Sequence, residues 1–184
     1  ATKGSAPDTW AFFGDSVTAN AFDPAVADTF SQVVATRHPG YAPIVISAGT
    51  GGDTSEDALG RLRVALPTLP TGCVIGLCYG SNDASHGVAP ADYKAHLETA
   101  VDLIRAAGDQ PVVAVVPWSL NGAIADYARA CREVATEKGL PPGPDFYSFF
   151  QAHPDEQMAD HVHPDAQGVV DMQRLWAEAA DFRY

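Results

Sequence analysis

The sequence predicts a three-layer α/β/α domain, with helices on both faces of a parallel sheet. Short runs rich in Val, Ile and aromatic residues alternate with longer segments of helical period. The runs are continuously apolar rather than alternating, as strands buried on both faces must be. Pro and Gly stand where the helical segments begin and end. Repeated βα units joined by right-handed crossovers build this architecture.

The predicted strands are TWAFFG at 9–14, PIVISAG at 43–49, CVIGLCYG at 73–80, PVVAVVPW at 111–118 and a weaker DFYSFF at 145–150. Tyr93, Leu97, Ala100, Val101 and Ile104 fall on one helical stripe between Pro90 and Gly108. Ile124, Tyr127, Ala128, Cys131 and Val134 form a second, closed by Gly139, and Val169, Met172, Leu175, Trp176 and Ala179 a third. GLPPGPD at 139–145 reads as a turn and no linker or repeat interrupts the chain, so one domain over 1–184 is expected.

With 46% hydrophobic and 18% charged residues, the composition is that of a soluble globular protein. A formal charge of −12, from 23 acids and 11 bases, argues against nucleic acid and anionic membrane surfaces, which need clustered Lys and Arg. No apolar run is long enough to span a bilayer. The chain opens at Ala1 without Met or a basic-then-apolar leader, which leaves the compartment open between cytoplasm and secretion with a signal peptide removed. Cys73 and Cys78, five apart, fall on opposite faces of one strand, and with Cys131 they read as small buried hydrophobes. No Cys/His spacing resembles a zinc site.

In an open parallel sheet the ligand site lies beyond the carboxyl ends of the strands. The polar residues there can be read off directly: Gly14-Asp15-Ser16 after the first strand, GTGGDTSED after the second, GSNDASHG after the third, and ADHVHPDAQG after the fifth. Together they are the inventory of an acyl hydrolase. Ser16 needs an adjacent base to become a nucleophile, for which His163 is the candidate. Asp160, three residues earlier, can orient its imidazole. The amides of Ser16 and Gly52 and the side chain of Asn82 can donate to an oxyanion.

These segments resemble the four signature blocks of the SGNH hydrolase (GDSL esterase/lipase) superfamily, in that family's order. FFGDS matches the nucleophile block, SAGTGGDTSEDALGRL the glycine block, YGSND the Gly-x-Asn-Asp block and DHVHP the Asp-x-x-His-Pro block. The resemblance spans residues 9–176. It implies a flavodoxin-like five-stranded parallel sheet of order 2-1-3-4-5, a Ser16-His163-Asp160 triad with Gly52 and Asn82 as oxyanion donors, and no metal or cofactor. Ser47 stands where many relatives have Asn.

Each residue also has a plainer reading. Gly-Asp-Ser is common turn chemistry, and Asp15 reads as a brace for the loop. Asn82 could be a turn residue, with Asp83 as scaffold. The motif HPD occurs twice, but only His163 has an aspartate three residues before it; at the first copy, His153, that position is Phe150. His161 is a weaker candidate base. Trp118 reads either as core or as a substrate-stacking aromatic at the rim; His86 is a second candidate substrate contact, and Phe22 and Asn121 are weaker ones.

The expected function is therefore a serine esterase acting on short acyl groups, acetyl first among them, plausibly O-acetyl groups on carbohydrate, since the short loops offer no lid over a long chain. Within the superfamily the alternatives are a lysophospholipase, a thioesterase or an acyltransferase. Outside enzymes, the alternative is a flavodoxin-like module whose GTGGD loop cradles a phosphate.

Overall fold

The computed structural model describes residues 8–184. Four strands, β1 (Thr9–Gly14), β2 (Ile44–Gly49), β3 (Val74–Cys78) and β4 (Gln110–Val113), form one parallel sheet of order β2-β1-β3-β4. The helices are α1 (Ser16–Ala21), α2 (Thr29–Arg37), α3 (Ser55–Ala65), α4 (Ser81–His86), α5 (Pro90–Ala106), α6 (Ile124–Glu137), α7 (Phe146–Ala152) and α8 (Ala166–Ala179).

All six residues of β1 are buried, and they alternate between two cores. Ala11 and Phe13, with Ile75 and Leu77 of β3, pack under α3, α5 and α6. Trp10 and Phe12, with Val74 and Cys78, pack under α1, α2, α7 and α8. Cys73 belongs to the first core and Cys78 to the second, the opposite faces their spacing requires; all three cysteines are free and buried. Phe12 anchors the second core, stacked on Phe22 at 3.9 Å and tilted against Trp176 at 5.1 Å. A Cβ at Gly76 would lie 2.8 Å from the Phe12 ring and 3.0 Å from Trp176, so this strand glycine makes room for the aromatics.

The predicted stripes of α5 and α6 are buried as expected. In α8, Leu175 and Ala179 are only half-buried, whereas the polar Gln173 is buried.

The fifth strand is not formed: residues 146–152 are α7. The Asp145 carboxylate caps that helix, accepting from the Ser148 amide at 3.0 Å and its hydroxyl at 2.9 Å, and the apolar Phe146 and Phe150 fall four apart on one buried face. What remains of strand pairing is one parallel bridge between Val115 and Asp145. Pro141, Pro142 and Pro144 lack the amide hydrogens a ladder needs. Gly143 is pressed so close to β4 that a Cβ would lie 2.1 Å from the Val113 carbonyl oxygen.

Candidate active site

The loop after β1 turns at once into α1, because Asp15 takes the N-cap and its carboxylate accepts from the Val17 amide at 2.9 Å. Ser16 is therefore the first residue of a helix beginning at the carboxyl edge of the sheet. Asp15 is itself buried, and burial raises its pKa to about 7 against the opposing bond from Val17. It braces the loop, as expected.

The DHVHP segment forms a closed loop beside Ser16. It is pinned by the Gln157–Pro164 bridge and by a 2.8 Å bond from the Met158 amide to the His163 carbonyl. Asp160 Oδ1 accepts from the amides of Val162 and His163, both at 3.0 Å, which leaves Oδ2 for the His163 ring: Nδ1 lies 2.6 Å away. His163 Nε2 in turn stands 2.8 Å from Ser16 Oγ. The bond to His163, helped by the two amides, holds the Asp160 pKa down to about 2 against partial desolvation. The next aspartate does a different job, as Asp165 caps α8 through the amides of Gln167 and Gly168.

The glycine loop reaches the same place from β2. The Thr50 amide bonds the Gly14 carbonyl at 2.9 Å, and a Cβ on Gly51 would lie 3.8 Å from Ser16 Cβ. Gly52 has φ +84, which suits glycine, and its missing Cβ would point into open space. Thr54 caps α3, in a capping box with Asp57. From the other side, Asn82 is not in an open loop but in the short helix α4, and its Nδ2 donates to the Asp53 carbonyl at 2.9 Å. Among the described residues the backbone amides of Ser16 and Gly52 donate to no protein group, and Asn82 keeps one side-chain N–H unspent. Donors without a protein partner are thus left on Ser16, on the glycine loop and on the helix that grips that loop.

The structure does not bring every candidate to this point. His153 ends α7, half-exposed, and stacks on Phe149 at 4.6 Å. His161 adopts φ +52 and makes no side-chain bond to Ser16 or Asp160, its buried Nδ1 having no partner among the described residues. His86 is exposed at the end of α4, near Asp57, and bonds neither Ser16 nor His163. Phe22 is core, not rim. Trp118 is half-buried between the two cores beyond the end of β4, and its carbonyl accepts from Gln157 Nε2 at 2.8 Å, which ties it to the His163 loop. Asn121 caps its own turn through the Ala123 amide.

Sequence reasoning missed one polar cluster. The buried Asp83 carboxylate accepts from the Ser55 amide and hydroxyl, and His96 of α5 meets the same hydroxyl. Its one signal in the sequence is the acid directly following Asn82. Among the described residues no group of three or more His, Cys, Asp or Glu side chains could hold a metal, and no helix is long and apolar enough to cross a membrane.

A doubly covered parallel sheet that carries serine, histidine and aspartate in hydrogen-bonded series at its carboxyl edge defines a serine hydrolase. The chain belongs to the GDSL-like Lipase/Acylhydrolase family, whose model matches residues 12–169, and is an ester-hydrolysing enzyme of the SGNH class. Among solved structures it is similar to a lipase/acylhydrolase from Enterococcus faecalis (27% identity, 96% of each chain covered, TM-score 0.78). It is also similar to TesA (25% identity, 96% of this chain and 100% of the other, TM-score 0.78). Axe2, an acetylxylan esterase from Geobacillus stearothermophilus, shares the fold at 18% identity (95% and 94% covered, TM-score 0.79). No curated protein matches the sequence.

Proposed function

We propose that residues 1–184 act as one hydrolase domain, with Ser16 as nucleophile, His163 as base and Asp160 as the group that orients it. The hydrogen-bonded series Asp160–His163–Ser16 carries this reading. Asp160 stays ionised and accepts from Nδ1–H, so Nε2 of the neutral ring faces Ser16 Oγ with a free lone pair. As Oγ attacks the ester carbonyl carbon, Nε2 takes the hydroxyl proton. The Ser16 and Gly52 amides and Asn82 Nδ2 receive the negative oxygen. Collapse expels the alcohol, which leaves with the proton from Nε2. A water then adds to the acyl-enzyme, its proton passing to Nε2, and the second collapse frees the acid and returns the proton to Ser16.

The favoured substrates are short acyl esters, acetyl in particular, on a polar alcohol such as a carbohydrate. An open site is in keeping with this: the Asp160 side chain is 47% exposed and that of His163 30%. The charge of −12 disfavours anionic lipid substrates. Trp118 is the candidate surface for a sugar face, with His86 a further contact at the rim. That Axe2, which shares the fold, is an acetylxylan esterase is in keeping with this choice. Hydrolysis of acetyl, butyryl and octanoyl esters should be compared, with an acetylated xylo-oligosaccharide alongside. A kcat/KM that falls with chain length supports the reading, and one that rises toward octanoyl overturns it.

A further inference from the structure

We infer that Asp83, Ser55 and His96 form a relay that positions the Gly52 and Asn82 donors relative to each other; this rests on the oxyanion reading above. Asn82 and Asp83 are consecutive in α4, and each grips the glycine loop. Asn82 Nδ2 holds the Asp53 carbonyl at 2.9 Å. The Asp83 oxygens receive the Ser55 amide at 3.1 and 3.0 Å and the Ser55 hydroxyl at 2.6 Å. The loop bearing Gly52 is thus clamped to the helix bearing Asn82 on both sides of Thr54. A displacement of one donor by about 1 Å can cost a hundredfold in rate, so the clamp acts on the reaction through geometry.

Proton counting gives the third member its role. Ser55 Oγ has one hydrogen, and the 2.6 Å contact commits it to the carboxylate. His96 Nδ1, 2.9 Å from the same oxygen, must therefore donate. That bond keeps the hydroxyl turned toward Asp83. Asp83 is fully buried and among the described residues makes no ion pair. A carboxylate in such a place is stabilised only by the donors it collects, here the amide and hydroxyl of Ser55 with His96 behind them. Burial raises its pKa above the ordinary value, and the Ser55 bonds offset only part of that rise.

The test is the steady-state hydrolysis of p-nitrophenyl acetate by Ser55→Ala, Ser55→Thr, His96→Ala and His96→Asn, with unfolding midpoints measured on the same preparations. Ser55→Ala should lower kcat about tenfold or more while KM stays within about twofold. Ser55→Thr keeps the hydroxyl and should restore it. His96→Ala should lower kcat by a smaller factor, and His96→Asn, whose amide nitrogen can replace Nδ1–H, should recover most of the loss. Ser16→Ala is assayed in parallel: if it retains turnover, the functional reading itself is wrong. If Ser16→Ala is inactive but His96→Ala and Ser55→Ala keep full kcat, the relay is wrong. A loss of kcat in folded His96→Ala that His96→Asn does not recover also overturns it.

Discussion

Ser16 Oγ and His163 Nε2 meet at 2.8 Å although 147 residues separate them in the chain. The meeting is made by two caps. Asp15 starts α1 so that Ser16 stands at its first position, and Asp165 starts α8 so that the loop before it closes against the same sheet edge. In the proposed mechanism the two act as one unit, so Ser16→Ala should lower ester hydrolysis by several orders of magnitude and His163→Ala by a similar factor. Both should retain the wild-type unfolding midpoint within a few degrees. Near-normal turnover by either variant would remove the pair from the mechanism.

The second HPD motif gives an internal control. His153 stacks on Phe149 and lies 3.5 Å from Glu156, and its role is to finish α7. His153→Ala should keep most of the activity and lose less than about 1 kcal/mol of stability, as half-exposed sites usually do. Equal losses of kcat in His153→Ala and His163→Ala would contradict the assignment of the base.

Asp15 makes stability depend on pH. Its folded pKa of about 7 lies above the ordinary 3.8, chiefly through burial. Between those values the folded chain holds a proton that the unfolded chain has lost, so this group's contribution to stability falls as pH rises from about 4 to 7. The full effect is on the order of a few kcal/mol. Asp15→Asn keeps an acceptor for the Val17 amide and cannot ionise. Its urea midpoint should gain on wild type between about pH 5 and pH 8. A difference that stays constant with pH would show that Asp15 ionises in the folded protein without penalty.

Much of this is legible in the sequence because the relevant residues follow local rules. Continuous apolar runs mark β1 and β3, and the i, i+3, i+4 stripes mark α5 and α6. The four polar loops name the residues that the fold brings together. DFYSFF misleads because a six-residue segment with four aromatics fits a strand or a helix equally. The deciding features are Asp145 three residues before Ser148 and the prolines upstream, which stop a strand as well as making a turn. The Asp83–Ser55–His96 cluster is not legible, because its members come from α4, α3 and α5 and no local pattern links them. The burial of Gln173 is hidden for the same reason: its partners Phe30, Ala21 and Ala27 lie near the other end of the chain.

Gln173 yields a prediction about stability alone. Its Oε1 accepts from the Phe30 amide at 3.0 Å, and its Nε2 donates to the carbonyls of Ala21 at 2.7 Å and Ala27 at 3.0 Å. One amide thus closes the segment between α1 and α2 onto α8. Gln173→Leu would leave these backbone groups buried and unpaired, at about 1 to 3 kcal/mol each if water cannot reach them. Gln173→Glu keeps the acceptor but turns an oxygen toward two carbonyls, and should be at least as damaging. Chemical denaturation decides it: a loss under about 1 kcal/mol in both variants would mean that solvent replaces the amide.

For Asn82 the kinetic and structural roles can be separated. One side-chain N–H holds the Asp53 carbonyl, and in the proposed mechanism the other serves the reacting oxygen. A donor that bonds the transition state more strongly than the bound ester is felt in kcat rather than KM. Asn82→Ala should lower kcat about a hundred- to a thousandfold, the range for losing one oxyanion donor, with KM little changed. The loss should be smaller than for Ser16→Ala, since the Ser16 and Gly52 amides remain. Asn82→Asp is the sharper variant. It preserves size but places a carboxylate against both the Asp53 carbonyl and the developing oxyanion, so its kcat should fall below that of Asn82→Ala. If Asn82 only braces the loop, both variants should lose thermal stability and keep their kcat at a permissive temperature, and that pattern would take Asn82 out of the oxyanion site.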